Sequence, residues 1–116
     1  MKEREHYPQR KVTLLPGDTI WATYKQNPNA PVRIAPATLK RLYGWTEGQR
    51  YIGKVREEPP TNSDPEGRVV VDFYDDKKGK FLFTHLVYNV EHKLAKGELY
   101  DYRYKPNPQP RLFDEP

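Results

Sequence analysis

Six cations, Arg33, Lys40, Arg41, Arg50, Lys54 and Arg56, fall in one stretch of the sequence, and Arg4, Arg10 and Lys11 precede them. Gathered on one face, they would neutralise backbone phosphates without reading bases. The plain alternative is a solvated charged surface. A second set, Tyr100, Tyr102 and Tyr104, alternates as residues on one side of a strand do. Exposed, these rings could stack unpaired bases. Leu99, Asp101 and Arg103, between them, are mostly polar, which favours the tyrosines facing a core instead. Enzymatic chemistry is poorly supplied. Ser63 is the only serine and falls in a loop-like stretch. His85 and His92, with Glu91 beside the latter, would share a face only on a helix, and their spacing is not one used for metals. Asp72, Asp75 and Asp76 read as hairpin residues, and no glycine loop for phosphate is present. The expectation is therefore no enzyme, no metal and no cofactor.

The charge is unevenly spread. Residues 1–56 carry 11 Lys+Arg against 4 Asp+Glu, whereas residues 57–116 carry 9 against 12. A basic half of net +7 beside an acidic half of net −3 suggests a face that meets nucleic acid or an acidic protein. With 116 residues the chain reads as one domain. Only 35% of residues are hydrophobic, so a small core must lean on the 15 aromatic residues. Twelve prolines argue against long helices. The absence of cysteine removes disulfides and thiolate chemistry and agrees with a cytoplasmic setting. Met1 to His6 holds no apolar run of a secretory leader, and no stretch has the length of a membrane span.

The elements that must position these residues are mostly strands. Residues 1–9 read as a flexible charged arm and 10–15 as the entry to a first strand. Thr19 to Tyr24, Gln49 to Val55, Arg68 to Tyr74, Phe81 to Thr84 and Leu99 to Tyr104 are β-branched and aromatic, hence strands. Between the first two lies the best-signalled helix, over 36–43. Pro36 opens it, and Leu39, Leu42 and Tyr43 make an apolar stripe. Lys40 and Arg41 suit its C-terminus, and Gly44 can end it left-handed, letting Trp45 fold back. Val32 to Ala35 reads as a short strand before it. A second helix is expected over 85–96, capped by Thr84 and stopped by Gly97, with a strand through Leu86, Tyr88 and Val90 as the alternative. Residues 57–67 form a long loop, and Pro106, Pro108 and Pro110 end the last strand in an extended tail over 105–116. The fold class is mainly β, a small barrel or a β-rich α+β domain over residues 10–104.

Ile34 to Ile52, through Leu39, Arg41, Gly44 and Glu47, resembles the AbrB/SpoVT-like family of small DNA-binding proteins. The resemblance implies a swapped-hairpin barrel made by two chains, hence a homodimer, with a basic surface on DNA. The glycine and arginine that the family places before its first strand are replaced here by Pro31 and Val32. In the tail, Gln109, Leu112 and Phe113 resemble the short peptide by which bacterial proteins dock on the replicative sliding clamp. Leucine and phenylalanine would fill an apolar pocket while the glutamine bonds at its rim.

Together these residues describe a small non-enzymatic cytoplasmic protein associated with nucleic acid. Its basic face would hold DNA or RNA backbone non-specifically, and its tail would recruit a protein. The alternative is an interaction or inhibitory module, such as a host or phage regulator, whose basic face binds an acidic protein. Reversing Lys40, Arg41 and Arg56 to Glu should then abolish polyanion binding at little cost in stability.

Overall fold

The computed structural model describes residues 12–107. The arm over 1–9 and the tail residues Gln109, Leu112 and Phe113 lie outside the described residues. Strands β1 (Thr19–Tyr24), β2 (Arg50–Glu58), β3 (Arg68–Asp75), β4 (Phe81–Leu86) and β5 (Leu99–Lys105) pair into one sheet. Its order is β4-β3-β2-β1-β5, and every pairing is antiparallel. The sheet stays open, with β4 and β5 at its edges, so the architecture is β-rich α+β and not a barrel.

Two short helices, α1 (Pro36–Tyr43) and α2 (Val87–Lys96), cover one face. Alternate residues of the central strands point to them. Ile20, Ala22 and Tyr24 of β1, Tyr51 and Val55 of β2, and Val71 and Phe73 of β3 share a buried cluster with Leu39 of α1 and Val90 and Leu94 of α2. Gly44 (φ 89°) and Gly97 (φ 81°) end the two helices in the left-handed region, where a side chain would be strained. No helix of the described residues is long and apolar enough to cross a membrane.

Several expectations need correction. Residues 12–15 and 32–35 carry no strand. Ala35 is extended (ψ 145°), as a residue before proline must be, but among the described residues no strand pairs with it. The strand that the AbrB/SpoVT resemblance places before Pro36 is thus not formed. The stripe on α1 is narrower than its sequence suggests. Leu39 is buried and Tyr43 half-exposed, whereas Leu42 is 57% exposed. Two turns reach the core with little more than one side chain, and Trp45 fills the rest. Thr84 caps no helix. It belongs to β4, its hydroxyl donates to Asp72, and Leu86 holds the N-cap of α2 without a side-chain bond.

The last strand returns to the first through a buried carboxylate. Asp18 is 1% exposed. Its Oδ2 accepts the Leu15 N–H at 2.8 Å and the Tyr104 hydroxyl at 2.9 Å, and its Oδ1 accepts the Asn107 N–H at 2.8 Å. One side chain thereby ties the entry of β1 to the exit of β5, and such charge-assisted bonds are the stronger kind.

Candidate functional site

Residues paired across antiparallel strands point to the same side of the sheet. The register therefore defines the face that the helices leave open. Arg103 pairs with Trp21, Trp21 with Ile52, Ile52 with Tyr74 and Tyr74 with Phe81. This is one continuous row across all five strands, and four of its members are apolar or aromatic. A second row beside it runs from Lys105 through Thr19, Lys54 and Asp72 to Thr84. On its other side Tyr100 pairs with Thr23, and Thr23 with Arg50.

Cations lie over the rings of this face. The Arg103 guanidinium is 5.0 Å from the Trp21 ring centre, the Lys25 ammonium 5.0 Å from Tyr100 and the Lys54 ammonium 5.4 Å from Tyr74. Trp21, Ile52 and Tyr74 are partly exposed, and Lys54, Phe81, Tyr100, Arg103 and Lys105 are exposed. Among the described residues Lys54, Arg103 and Lys105 make no ion pair, so their charge is available to a ligand.

Other cations of the face are engaged. Arg56 Nε donates to Asp72 Oδ2 at 2.6 Å, and Arg50 lies 3.8 Å from the Asp101 carboxylate. Burial pushes the Asp72 carboxyl upward, but its bonds from Arg56 and Thr84 outweigh that and hold it below the usual carboxylate range. Arg56 is thus a partner of a buried carboxylate. The expectation that it could be reversed to Glu at little cost is corrected, because Asp72 would lose its counter-ion and gain a like charge.

The basic cluster divides. Arg50, Lys54 and Arg56 stand on the open face, with Ile52 between the first two along β2. Lys40 and Arg41 end α1 on the covered side, and Arg33, in the loop before α1, pairs with Glu47 at 3.3 Å. The tyrosines divide too. The β1–β5 register shifts between Trp21 and Thr23, and Asp101 takes a left-handed conformation (φ 53°). This bulge sets Tyr100 on the open side, whereas Tyr104 pairs with Ile20 and bonds Asp18 on the other, and Tyr102 follows it. Trp21, Tyr74, Phe81 and Arg103 were missed as site residues. Trp21 alternates with Ile20 and Ala22, and this period was the signal available; Arg103 was set aside as the polar side of β5.

The covered side holds a cleft of about 430 Å³ between α2 and the loop that leads into α1. Gln26, Ile34, Tyr43, His85, His92 and Lys96 are among its lining residues. His85 lies on β4, not on a helix with His92, and its imidazole is committed. Its ring stacks on Trp45 at 5.2 Å, and its Nε2 is 3.3 Å from the Tyr43 carbonyl, to which it donates. Burial lowers its pKa, the Tyr43 bond opposes this, and the Lys93 charge lowers it further. A base whose folded pKa is depressed stabilises fully above its unfolded value, about 6.5, and loses that stability as pH falls through the folded pKa. The melting temperature is accordingly expected to fall as pH drops below about 6.5, and His85→Phe, which keeps the stacking, should flatten that limb. Thermal scans of both proteins check this, and parallel curves would show that His85 does not carry it.

No family model matches the chain, and neither a curated protein nor a solved structure matches it.

Proposed function

We propose that this is a small non-enzymatic protein associated with nucleic acid, and that its open sheet face is the contact surface. The observation that carries the reading is the row from Arg103 to Phe81, flanked by Lys54 and Lys105. A sheet face left without a helix ordinarily carries polar side chains against water. Here it carries aromatic rings and uncommitted cations, which is the chemistry of a polyanion with apolar faces. The tail, with Gln109, Leu112 and Phe113, recruits a protein partner, for which the sliding clamp is the first candidate.

Fluorescence anisotropy of labelled single-stranded and duplex DNA across a sodium chloride series tests the reading. If Lys25, Lys54, Arg103 and Lys105 neutralise about four phosphates, log Kobs should fall with log salt at a slope near −2.8 on single strands and −3.6 on duplex. A flat response, or no binding at low salt, would reject it. In the same protein Leu112→Ala with Phe113→Ala should abolish capture of the protein partner and leave the DNA isotherm unchanged.

A second reading has its own observation. On the covered side Leu42 (57% exposed) and Tyr43 (48% exposed) stand beside Lys40 and Arg41 at the end of α1. Apolar side chains next to cations suit an acidic protein surface, as an interaction or inhibitory module would need.

A further inference from the structure

We infer that the open face takes single strands and discriminates against duplexes, with unpaired bases stacking on Trp21, Tyr74 and Tyr100. The inference rests on the nucleic-acid reading above and names the substrate class of that same face.

Phosphate contacts alone require only cations. The open face also presents rings on three different strands, Tyr100 on β5, Trp21 on β1 and Tyr74 on β3. In a duplex the flat faces of the bases are covered by their neighbours, so rings on a sheet have nothing to stack on. In a single strand every base offers a face, and stacking on aromatic side chains tolerates any sequence. Duplex readers commonly insert a helix or a narrow ribbon into a groove. Here α1 and α2 lie on the opposite side of a five-stranded sheet.

The cations over these rings fit the same occupant. Arg103, Lys25 and Lys54 each rest on a ring of the face, on Trp21, Tyr100 and Tyr74 in turn. An exposed cation–π contact is worth less than a stacked base. A base can therefore take the place of the cation on the ring, and the long basic side chain swings a short way to the adjoining phosphate. Each ring and its cation then serve one nucleotide, base and backbone together. Three such pairs engage about three nucleotides, close to the lower end of single-strand binding sites.

The test uses the full chain with three probes at one ionic strength: an oligothymidylate, a duplex of equal length, and heparin as a polyanion without bases. Tryptophan emission should be quenched by the oligothymidylate and not by heparin. The quench should vanish in Trp21→Leu, since Trp45 is buried in the core. Trp21→Leu should weaken oligothymidylate binding about 5- to 150-fold, the range measured for loss of one stacked base, while heparin and duplex binding stay within about twofold. Tyr100→Leu, on the edge strand, should act likewise and serves if Trp21→Leu fails to fold. Equal weakening on all three probes, or equal quenching by heparin, would overturn the stacking inference and leave the basic face as a phosphate binder. Failure to bind any of the three would reject the proposed function itself, and this inference with it.

Discussion

Trp45→Ala is expected to lower the melting temperature by roughly 15–30 °C, the largest stability change in the molecule. Trp45 is 1% exposed and sits at the centre of the aromatic core. Tyr24 stacks on it at 4.7 Å and His85 at 5.2 Å, while Tyr51, Phe73 and Phe83 meet it edge-on at 5.1, 5.1 and 4.8 Å. Truncating a buried tryptophan costs about 3–5 kcal/mol in lost transfer energy and cavity. A domain of this size has a total stability of about 5–15 kcal/mol, so much of it disappears. Trp45→Phe should cost far less than its lost volume suggests. The indole Nε1 is buried with no hydrogen-bond partner among the described residues, so the phenylalanine also removes an unsatisfied donor. Urea unfolding of the two variants decides the matter. A cost below about 1 kcal/mol for Trp45→Ala would mean that the core is not built on this residue.

The sequence made the local features legible and hid those made at long range. All five strands of the sheet were recognisable, because β-branched and aromatic residues are concentrated along them. The first helix was legible from Pro36 and Gly44, whereas for the second only its end at Gly97 was marked, and a strand through Leu86, Tyr88 and Val90 stood as its alternative. Residues 32–35 mislead for the same reason: proline enforces an extended backbone locally, but a strand needs a neighbour. Faces were harder than elements. Trp21 and Tyr24 are both aromatic, and only pairing with β2 and β5 tells that one looks out and the other in. A single extra residue at Asp101 separates Tyr100 from Tyr102 and Tyr104, and period-two alternation cannot foresee a bulge. The basic cluster failed differently. Closeness in sequence is not closeness in space here, because α1 and β2 carry their cations to opposite sides of the sheet. The partnership of Arg56 with Asp72 was likewise hidden, because it joins two strands.

The division of the basic cluster also gives the largest expected effect on binding. Lys54→Glu with Arg103→Glu should reduce affinity for any nucleic acid on the order of a hundredfold at moderate salt. The same variant should lower the salt slope by about two, one for each phosphate contact removed. Both side chains are exposed and free of ion pairs among the described residues, and each rests on a ring of the open face. Reversal forfeits two exposed cation–π contacts, about 0.5–1 kcal/mol apiece, and sets a like charge opposite Asp72, but Arg56 stays bonded to that carboxylate and the fold should persist. Lys40→Glu with Arg41→Glu makes the identical change of charge on the covered side. A ligand that senses only net charge would respond equally to both pairs, since long-range attraction depends on total charge more than on place. A ligand seated on the sheet would respond to the first pair and barely to the second. Anisotropy titrations of the two variants on one labelled single strand separate these outcomes, with circular dichroism to show that both stay folded. Loss of binding in the Lys40 and Arg41 variant alone would move the contact to the end of α1, where Leu42 and Tyr43 are exposed. That result would overturn the open sheet face as the contact surface.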